Sequence, residues 1–319
     1  MTSARMLNHR HLGSLFLLAF AGILFGGSAR AGSLAVPPEA RQGLDVLYGG
    51  DPDAAIQVFR DIETARPDHP LGYLLELEAR WWKMYCQACE VKWGLIDAWK
   101  KSKRPEDQEF FALADKATSL AKAQLAKSET AEMHLYAGIG LAMKARLYGL
   151  REEHRATARA GVAAREEFLR ATQLDPDMAD AYAGLGLYNY YVDTLSGLVK
   201  FLRFFLGIPG GSKKDGIQQL ELAMEKGQLM NVEARFYLAK NLRTYDQRYE
   251  RAEEVLSPLV QHYPRNPIFL LLQGNLNTEL GRPEKAKEAF RAAQAVVCPD
   301  SLCDARVHQI AKSFLDSLP

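Results

Sequence analysis

The sequence has 319 residues, of which 48% are hydrophobic and 25% are charged, and its formal net charge is +1. These values are typical of a globular chain and exclude a disordered tail or a protein with many membrane spans. The 40 basic residues are matched by 39 acidic ones, so no basic excess is available to bind the phosphates of a nucleic acid. We therefore expect no nucleic-acid partner.

The first 31 residues have the pattern of a secretory signal peptide. Arg5 and Arg10 precede an apolar run over 12–25, and the small-residue sequence Ala29-Arg30-Ala31 follows it. The run is shorter than the roughly 20 residues that a membrane-spanning helix needs. We predict cleavage after Ala31, a mature domain over 32–319, and a periplasmic or secreted protein of a bacterial cell envelope. An uncleaved membrane anchor is the alternative.

Four cysteines form two close pairs in the sequence, Cys86 with Cys89 and Cys298 with Cys303. Because an exported protein can form disulfides, we expect two local disulfides that each clamp a turn. A zinc site would need the two distant pairs to meet, and a redox pair would need a βαβ context that this sequence does not offer. Attachment of a c-type haem would need a histidine where Glu90 stands.

A recurring pattern marks internal repeats along the mature chain. A small residue is followed by a bulky apolar residue four positions later and by a proline eight positions after that. The copies are Ala55/Phe59/Pro67, Ala164/Phe168/Pro176, Ala252/Leu256/Pro264, Ala286/Phe290 with Pro299, and Gly216/Leu220 without the proline. The small residue lets two helices approach closely, the bulky residue fills the groove between hairpins, and the proline ends the second helix.

The repeats predict an all-α solenoid of about six helical hairpins with a C-terminal capping helix. No window alternates apolar and polar residues as a strand requires. The predicted helices cover 37–48, 52–65, 69–87, 105–127, 129–148, 151–174, 178–191, 195–206, 213–226, 231–244, 248–262, 267–280, 283–296 and 302–317.

The repeat units resemble tetratricopeptide (TPR) repeats. The matching residues are Gly274, Gly281, Ala286 and Phe290 in the last unit, and Gly50, Ala55, Phe59 and Pro67 in the first. The segment 70–127 departs from the pattern through a long insertion that contains Trp81, Trp82, Trp93 and Trp99. The resemblance implies a scaffold that binds a partner protein in a concave groove.

Counting from the repeat landmarks assigns the lining of this groove. The first helices present tyrosine, asparagine and threonine side chains, which can contact an extended peptide. The predicted partner-binding residues are Tyr190, Tyr191, Tyr237, Asn241, Tyr245, Asn275 and Thr278. A clamp for a C-terminal carboxylate lacks its lysine, because Leu271 stands there. Packing between helices is the alternative role for every member of this set.

An apolar insertion at about 192–212 interrupts the repeats and contains Phe201, Phe204, Phe205 and Ile208. The surrounding block, 185–227, resembles the Iml2-like inclusion-clearance subgroup of TPR proteins through Gly186, Leu187, Asn189, Leu202, Gly207, Gly211, Gly216, Ile217, Gln219 and Leu220. The insertion is interpreted as a helix packed in the groove, as a lid over an apolar peptide or lipid, or as a membrane-surface helix. The turn before Lys213 is a further place where an anion could bind a helix N-terminus.

No catalytic motif occurs in the sequence, and the five histidines of the predicted mature chain are scattered. We therefore expect no enzymatic activity, no cofactor and no metal. An active site would require the four tryptophans of the 70–127 segment to line a cleft with titratable groups. The expected partner is an envelope protein or peptide, with a lipid or apolar ligand as the alternative.

Overall fold

The computed structural model describes residues 34–99, 102–194 and 208–319, which form thirteen α-helices and one two-stranded sheet. The strands are β1 (Cys89–Lys92) and β2 (Leu95–Ala98). The helices are α1 (Pro38–Tyr48), α2 (Pro52–Ala65), α3 (Pro70–Ala88), α4 (Glu106–Leu125), α5 (Ala131–Leu150), α6 (His154–Leu174), α7 (Ala179–Thr194), α8 (Lys213–Lys226), α9 (Asn231–Thr244), α10 (Tyr249–His262), α11 (Pro267–Glu279), α12 (Pro283–Ala295) and α13 (Ser301–Ser317).

The helices pack as successive pairs, from α1 with α2 to α11 with α12, and α13 packs on the last pair. Each first helix of a pair also packs against the first helix of the next pair. The first helices therefore form one continuous side of the stack, which we call the inner face. The described helices confirm the predicted solenoid of six hairpins and a capping helix.

Glycine, proline and capping side chains separate the helices as the sequence predicts. The Asp51 carboxylate accepts a hydrogen bond from the Ala54 amide at the start of α2, where Pro52 is the first helical residue. The Asn266 side chain caps α11 in the same way, ahead of Pro267. Gly281 ends the α11 segment with a φ of +66°, a left-handed conformation that glycine adopts at little cost.

The repeat residues pack as close helix-to-helix contacts. The bulky side chains of the pattern are buried, and glycines of the adjoining first helices face their rings. A Cβ atom added to Gly184 would lie 2.0 Å from the Phe168 ring, and one added to Gly274 would lie 2.6 Å from the Phe290 ring. Glycines of the first helices thus complement the small residues that recur in the second helices.

One element contradicts the expectation of a chain without strands. β1 and β2 form an antiparallel hairpin in which Glu90 pairs with Asp97 and Val91 pairs with Ile96. The two strands are four residues long, too short for an alternating pattern to be recognised in the sequence. Trp93 and Gly94 form the two-residue turn, with φ values of +52° and +75°.

The two ends of the described stack meet. The Tyr263 hydroxyl donates to Asp45 Oδ1 at 3.0 Å, and Asn266 Nδ2 donates to the Tyr48 carbonyl at 2.9 Å. Helix α3 packs against the capping helix α13. Contacts between residues more than 200 positions apart therefore close the superhelix on itself.

This closure explains why the prediction of two local disulfides is wrong. The structure joins Cys86 at the end of α3 to Cys303 in α13, and leaves Cys89 and Cys298 as buried free thiols. The ends of α3 and the start of α13 lie together, so a bond between the two cysteine pairs becomes possible. In the described part of the chain, no group of three or more His, Cys, Asp or Glu side chains is arranged to bind a metal ion.

The predicted domain boundary after residue 31 and most of the insertion at 192–212 lie outside the described residues. The same is true of the predicted helix at 195–206. Across 34–99, 102–194 and 208–319, every helix is too short or too polar to cross a membrane.

Candidate functional site

The predicted groove residues lie on α7, α9 and α11 and at the end of α9. Tyr190, Tyr237, Asn241 and Asn275 are buried, Tyr191 and Thr278 are half-buried, and Tyr245 is 47% exposed. Their contact with a partner stays a prediction, because the structure contains this chain alone. The buried members make all of their observed contacts within the chain.

Three of the tyrosines form one cluster with Asn241. The Tyr191 hydroxyl donates to Asn241 Oδ1 at 3.0 Å, and the Tyr190 hydroxyl lies 3.1 Å from the Asn241 carbonyl. The Tyr245 ring lies about 6 Å from both tyrosine rings, at 6.1 and 6.2 Å between centroids. Thr278 is different, since its hydroxyl donates to the Gly274 carbonyl of its own helix. The structure thus joins α7 to α9 through this cluster, whereas the hydrogen bond of Thr278 stays within α11.

Aromatic side chains of α3 close the inner face opposite α9. Trp81 Nε1 donates to the Tyr237 hydroxyl at 2.9 Å, and the Trp82 ring lies 4.9 Å from the Phe236 ring. Both tryptophans are buried. They belong to the core, whereas Trp93 is 85% exposed. The enzymatic interpretation of this segment required all four tryptophans to line one cleft.

Three charged groups lie inside this aromatic layer: Glu78 of α3, Arg146 of α5 and Glu233 of α9. We call them the ion cluster. The Arg146 guanidinium pairs with Glu233 and lies 3.8 Å from Glu78 Oε2. Burial and the neighbouring charge of Glu233 raise the pKa of Glu78 to about 8. Two carboxylates thus share one guanidinium, and the site favours a proton on Glu78.

The β1–β2 hairpin covers the inner face beside the ion cluster. The Gly94 carbonyl accepts hydrogen bonds from Arg243 at 3.0 Å and from Asn275 Nδ2 at 2.9 Å. Asp97 pairs with Lys240 at 2.9 Å, and its other carboxylate oxygen accepts a hydrogen bond from the Tyr85 hydroxyl. Side chains of α3, α9 and α11 therefore bind the Gly94 carbonyl and the Asp97 carboxylate of the hairpin.

Lys240 and Arg243 are the site residues that the sequence analysis missed. Both are buried on α9, on either side of the predicted Asn241. Burial opposes the positive charge of Lys240, but Asp97 and the surrounding tyrosine hydroxyls raise its pKa above the usual value. Their spacing was a usable signal, because Lys240 lies three residues after Tyr237 and Arg243 three residues after Lys240, which places each on the same side of the helix as the residue before it.

Part of the hydrogen-bonding capacity at this place is unused. Asn241 Nδ2 and Asn275 Oδ1 are buried and have no hydrogen-bond partner among the described residues. Arg243 Nε is also buried and has no hydrogen-bond partner among the described residues. Each asparagine thus uses one end of its amide and leaves the other end free.

The N-terminus of α8, where an anion was considered, is occupied by the chain itself. The Lys213 amide donates to Asp193 Oδ2 at 2.8 Å, and the Ser212 hydroxyl caps the Asp215 amide. The Lys213 ammonium pairs with Asp246 at 2.6 Å. A surface depression of about 630 Å³ lies beside these residues and is lined by Ile217, Glu221 and Arg248 among others.

The apolar insertion is described only at its two ends. Phe201, Phe204 and Phe205 lie outside the described residues, whereas Ile208 is described and half-buried. The lid and membrane-surface interpretations of this segment therefore stay predictions.

Residues 241–296 match the family model of the tetratricopeptide repeat. No curated protein matches the chain. Two solved structures show a partial similarity. Yeast Tom70 is 11% identical with a TM-score of 0.29, covering 88% of each chain. The TPR domain of P58(IPK) is 13% identical with a TM-score of 0.25, covering 88% of this chain and 98% of that one. The matched repeat region contains Asn241, Arg243 and Asn275.

Proposed function

We propose that this chain is a non-catalytic scaffold that binds a partner protein, and its match to the tetratricopeptide repeat model over residues 241–296 supports this. The partner presents an extended segment to the inner faces of α9 and α11. The observation that carries this proposal is the convergence of two donors, Arg243 and Asn275, on one main-chain carbonyl of the hairpin. Stacked helical repeats commonly use this side of the stack for binding.

Recognition of main-chain atoms suits a protein ligand. A side-chain amide carries both a donor and an acceptor, so it can pair with the peptide groups of an extended segment whatever its side chains are. Asn241 and Asn275 each have one such atom still free. Lys240 adds a fixed positive charge that selects an acidic side chain.

We place this activity in the bacterial cell envelope. Support comes from the signal-peptide pattern of residues 1–31 and from the Cys86–Cys303 disulfide, which belongs to an oxidising compartment. N-terminal sequencing of the protein recovered from a periplasmic fraction tests the location. We expect a chain that begins at Gly32. Recovery of the chain with its first residues intact in the cytosol would contradict this placement.

Site-specific cross-linking tests the binding function. The photo-reactive residue benzoylphenylalanine replaces Trp93, whose side chain is 85% exposed at the hairpin turn, and envelope extract is irradiated with the variant. The matched control carries the same residue at Leu302, which is 57% exposed on the capping helix. We expect protein adducts from position 93 and none from position 302. Adducts of equal yield at both positions, or at neither, contradict a binding surface beside α9 and α11.

A further inference from the structure

Among the described residues, the polar contacts that bind the hairpin to the inner face come from two of its residues. Gly94 supplies a carbonyl to Arg243 and Asn275, and Asp97 supplies a carboxylate to Lys240 and Tyr85. These are a main-chain acceptor and an acidic side chain three residues later. Any extended segment with a carboxylate at that spacing offers the same two groups.

The surface of α9 and α11 under the hairpin has hydrogen-bonding atoms that the hairpin does not pair. Asn241 Nδ2, Asn275 Oδ1 and Arg243 Nε are buried without a partner in the described part of the chain. Buried polar atoms are almost always paired in native proteins, since leaving one unpaired costs more than a hydrogen bond contributes. A segment running past both asparagines would pair the remaining amide ends, which the two-residue turn of the hairpin does not reach.

The turn of the hairpin has a residue that its backbone geometry does not favour. Both turn residues have positive φ values, a geometry that favours Asn, Asp or Gly at the first position, where Trp93 stands. An isolated two-stranded hairpin is also marginal in water. Once it leaves the inner face, this segment has little to keep it folded.

The chain just before the hairpin is nonetheless fixed. Cys86 lies three residues before β1 and is joined to Cys303 of the capping helix by the disulfide. The tip and Asp97 therefore stay close to their contacts even when these contacts break, which gives the hairpin a high effective concentration.

We propose that the β1–β2 hairpin is an internal occupant of the partner site, which it covers until an extended acidic segment of the partner displaces it. This inference rests on the proposed protein-binding function and adds the partner's chemistry: a strand with a carboxylate that pairs with Lys240. Binding of the partner is a competition between two segments for Arg243, Asn275 and Lys240.

The thiol of Cys89 reports release of the hairpin. It is the first residue of β1 and is completely buried, whereas the buried Cys298 lies outside the hairpin. Maleimide labelling of the full chain, followed by mass spectrometry of each cysteine peptide, measures both rates. We expect Asp97→Asn to accelerate labelling of Cys89 about ten-fold and to leave Cys298 unchanged. Asp53→Asn, which disrupts an ion pair with Lys83 outside the hairpin, is the matched control.

A second variant acts in the opposite direction and concerns an exposed residue. Trp93→Asn relieves the turn, so we expect Cys89 labelling to slow about three-fold. Equal changes at Cys89 and Cys298, or no change at Cys89 in either variant, would overturn the inference, because the hairpin would then open only when the whole chain unfolds.

The partner's chemistry is tested with a synthetic peptide of residues 90–99 and a control peptide carrying Asn in place of Asp97. We expect the Asp97→Asn protein to bind the first peptide at least about ten-fold more tightly than wild-type protein does, and the control peptide to bind weakly to both. Release of Cys89 without peptide binding overturns the internal-occupant inference. The cross-links expected at position 93 do not depend on that result, so the proposed function is judged separately.

Discussion

The inner face is covered at two places, by the ion cluster and by the β1–β2 hairpin, and the contacts at these two places differ in kind. At the ion cluster, Glu78 and Glu233 are buried among rings, Arg146 is half-buried, and its guanidinium faces both carboxylates. At the hairpin, two residues supply the polar contacts and neutral amide atoms remain unpaired. Both places are buried, so burial alone does not separate a fixed core from a segment that a partner can replace. The unpaired amide atoms of Asn241 and Asn275 and the positive φ of Trp93 mark the hairpin as the segment that a partner can replace.

The largest effect is expected at the ion cluster. Arg146→Met leaves the buried Glu233 carboxylate without its counter-charge, so the free energy of unfolding should fall by about 3–5 kcal/mol in urea denaturation. Arg170→Met, which removes an exposed ion pair with Glu129, should change it little. Similar losses in both variants would show that the ion cluster is not a fixed part of the core.

The second effect concerns the disulfide that joins helix α3 to the capping helix α13. Cys86→Ser removes a cross-link between residues 217 positions apart, and we expect a loss of about 2–4 kcal/mol. Cys298→Ser is the matched control and should cost less, because Cys298 is a free thiol. Non-reducing peptide mapping checks the pairing directly. A cross-link between Cys86 and Cys89 would contradict the closed superhelix.

Glycine substitutions test the close contacts between neighbouring helices, on which the ion cluster and the hairpin both depend. Gly184→Ala places a methyl group against the Phe168 ring, and we expect a loss of about 1–3 kcal/mol in thermal or urea unfolding. Gly161→Ala lies in α6 with open space around its Cβ position, so it should stabilise the protein by up to about 1 kcal/mol. Equal destabilisation by both would mean that the loss at Gly184 does not come from close approach to the Phe168 ring.

The smallest effect is the pH dependence of the ion cluster. The pKa of Glu78 is raised to about 8 in the folded protein, above its unfolded value, so its contribution to stability is complete below the unfolded pKa and is lost as pH rises toward 8. Between pH 7 and pH 8 we expect wild type to lose about 1 kcal/mol more than Glu78→Gln does. Parallel pH profiles of unfolding free energy would contradict this. The comparison of two proteins cancels the contribution of Glu63, whose pKa is also raised to about 8.

Most helices could be predicted because local signals determine them. Capping residues such as Asp51 and Asn266, and prolines at helix starts, act within a few residues of sequence. The spacing of Ala286 and Phe290 likewise records a contact between neighbouring helices. The predicted helix bounds therefore differ from the observed ones by only a few residues at either end.

The site was predicted only in part, because its contacts join distant residues. Counting repeats placed Asn241 and Asn275 on the inner face, but no local pattern indicates that Gly94 lies against them. The pairing of Cys86 with Cys303 depends on the same closure. A hairpin with strands of four residues leaves too few positions for periodicity to reveal it.

The meeting of α1 with the start of α11 affects how the protein folds. In an open repeat array each unit contacts only its neighbours, so folding can spread from any point and the end repeats fray first. Here the bonds from Tyr263 to Asp45 and from Asn266 to Tyr48 bridge 218 residues. Such contacts raise the mean sequence separation of native contacts, which slows folding. Refolding should therefore end with a slow step that joins the first pair to the last.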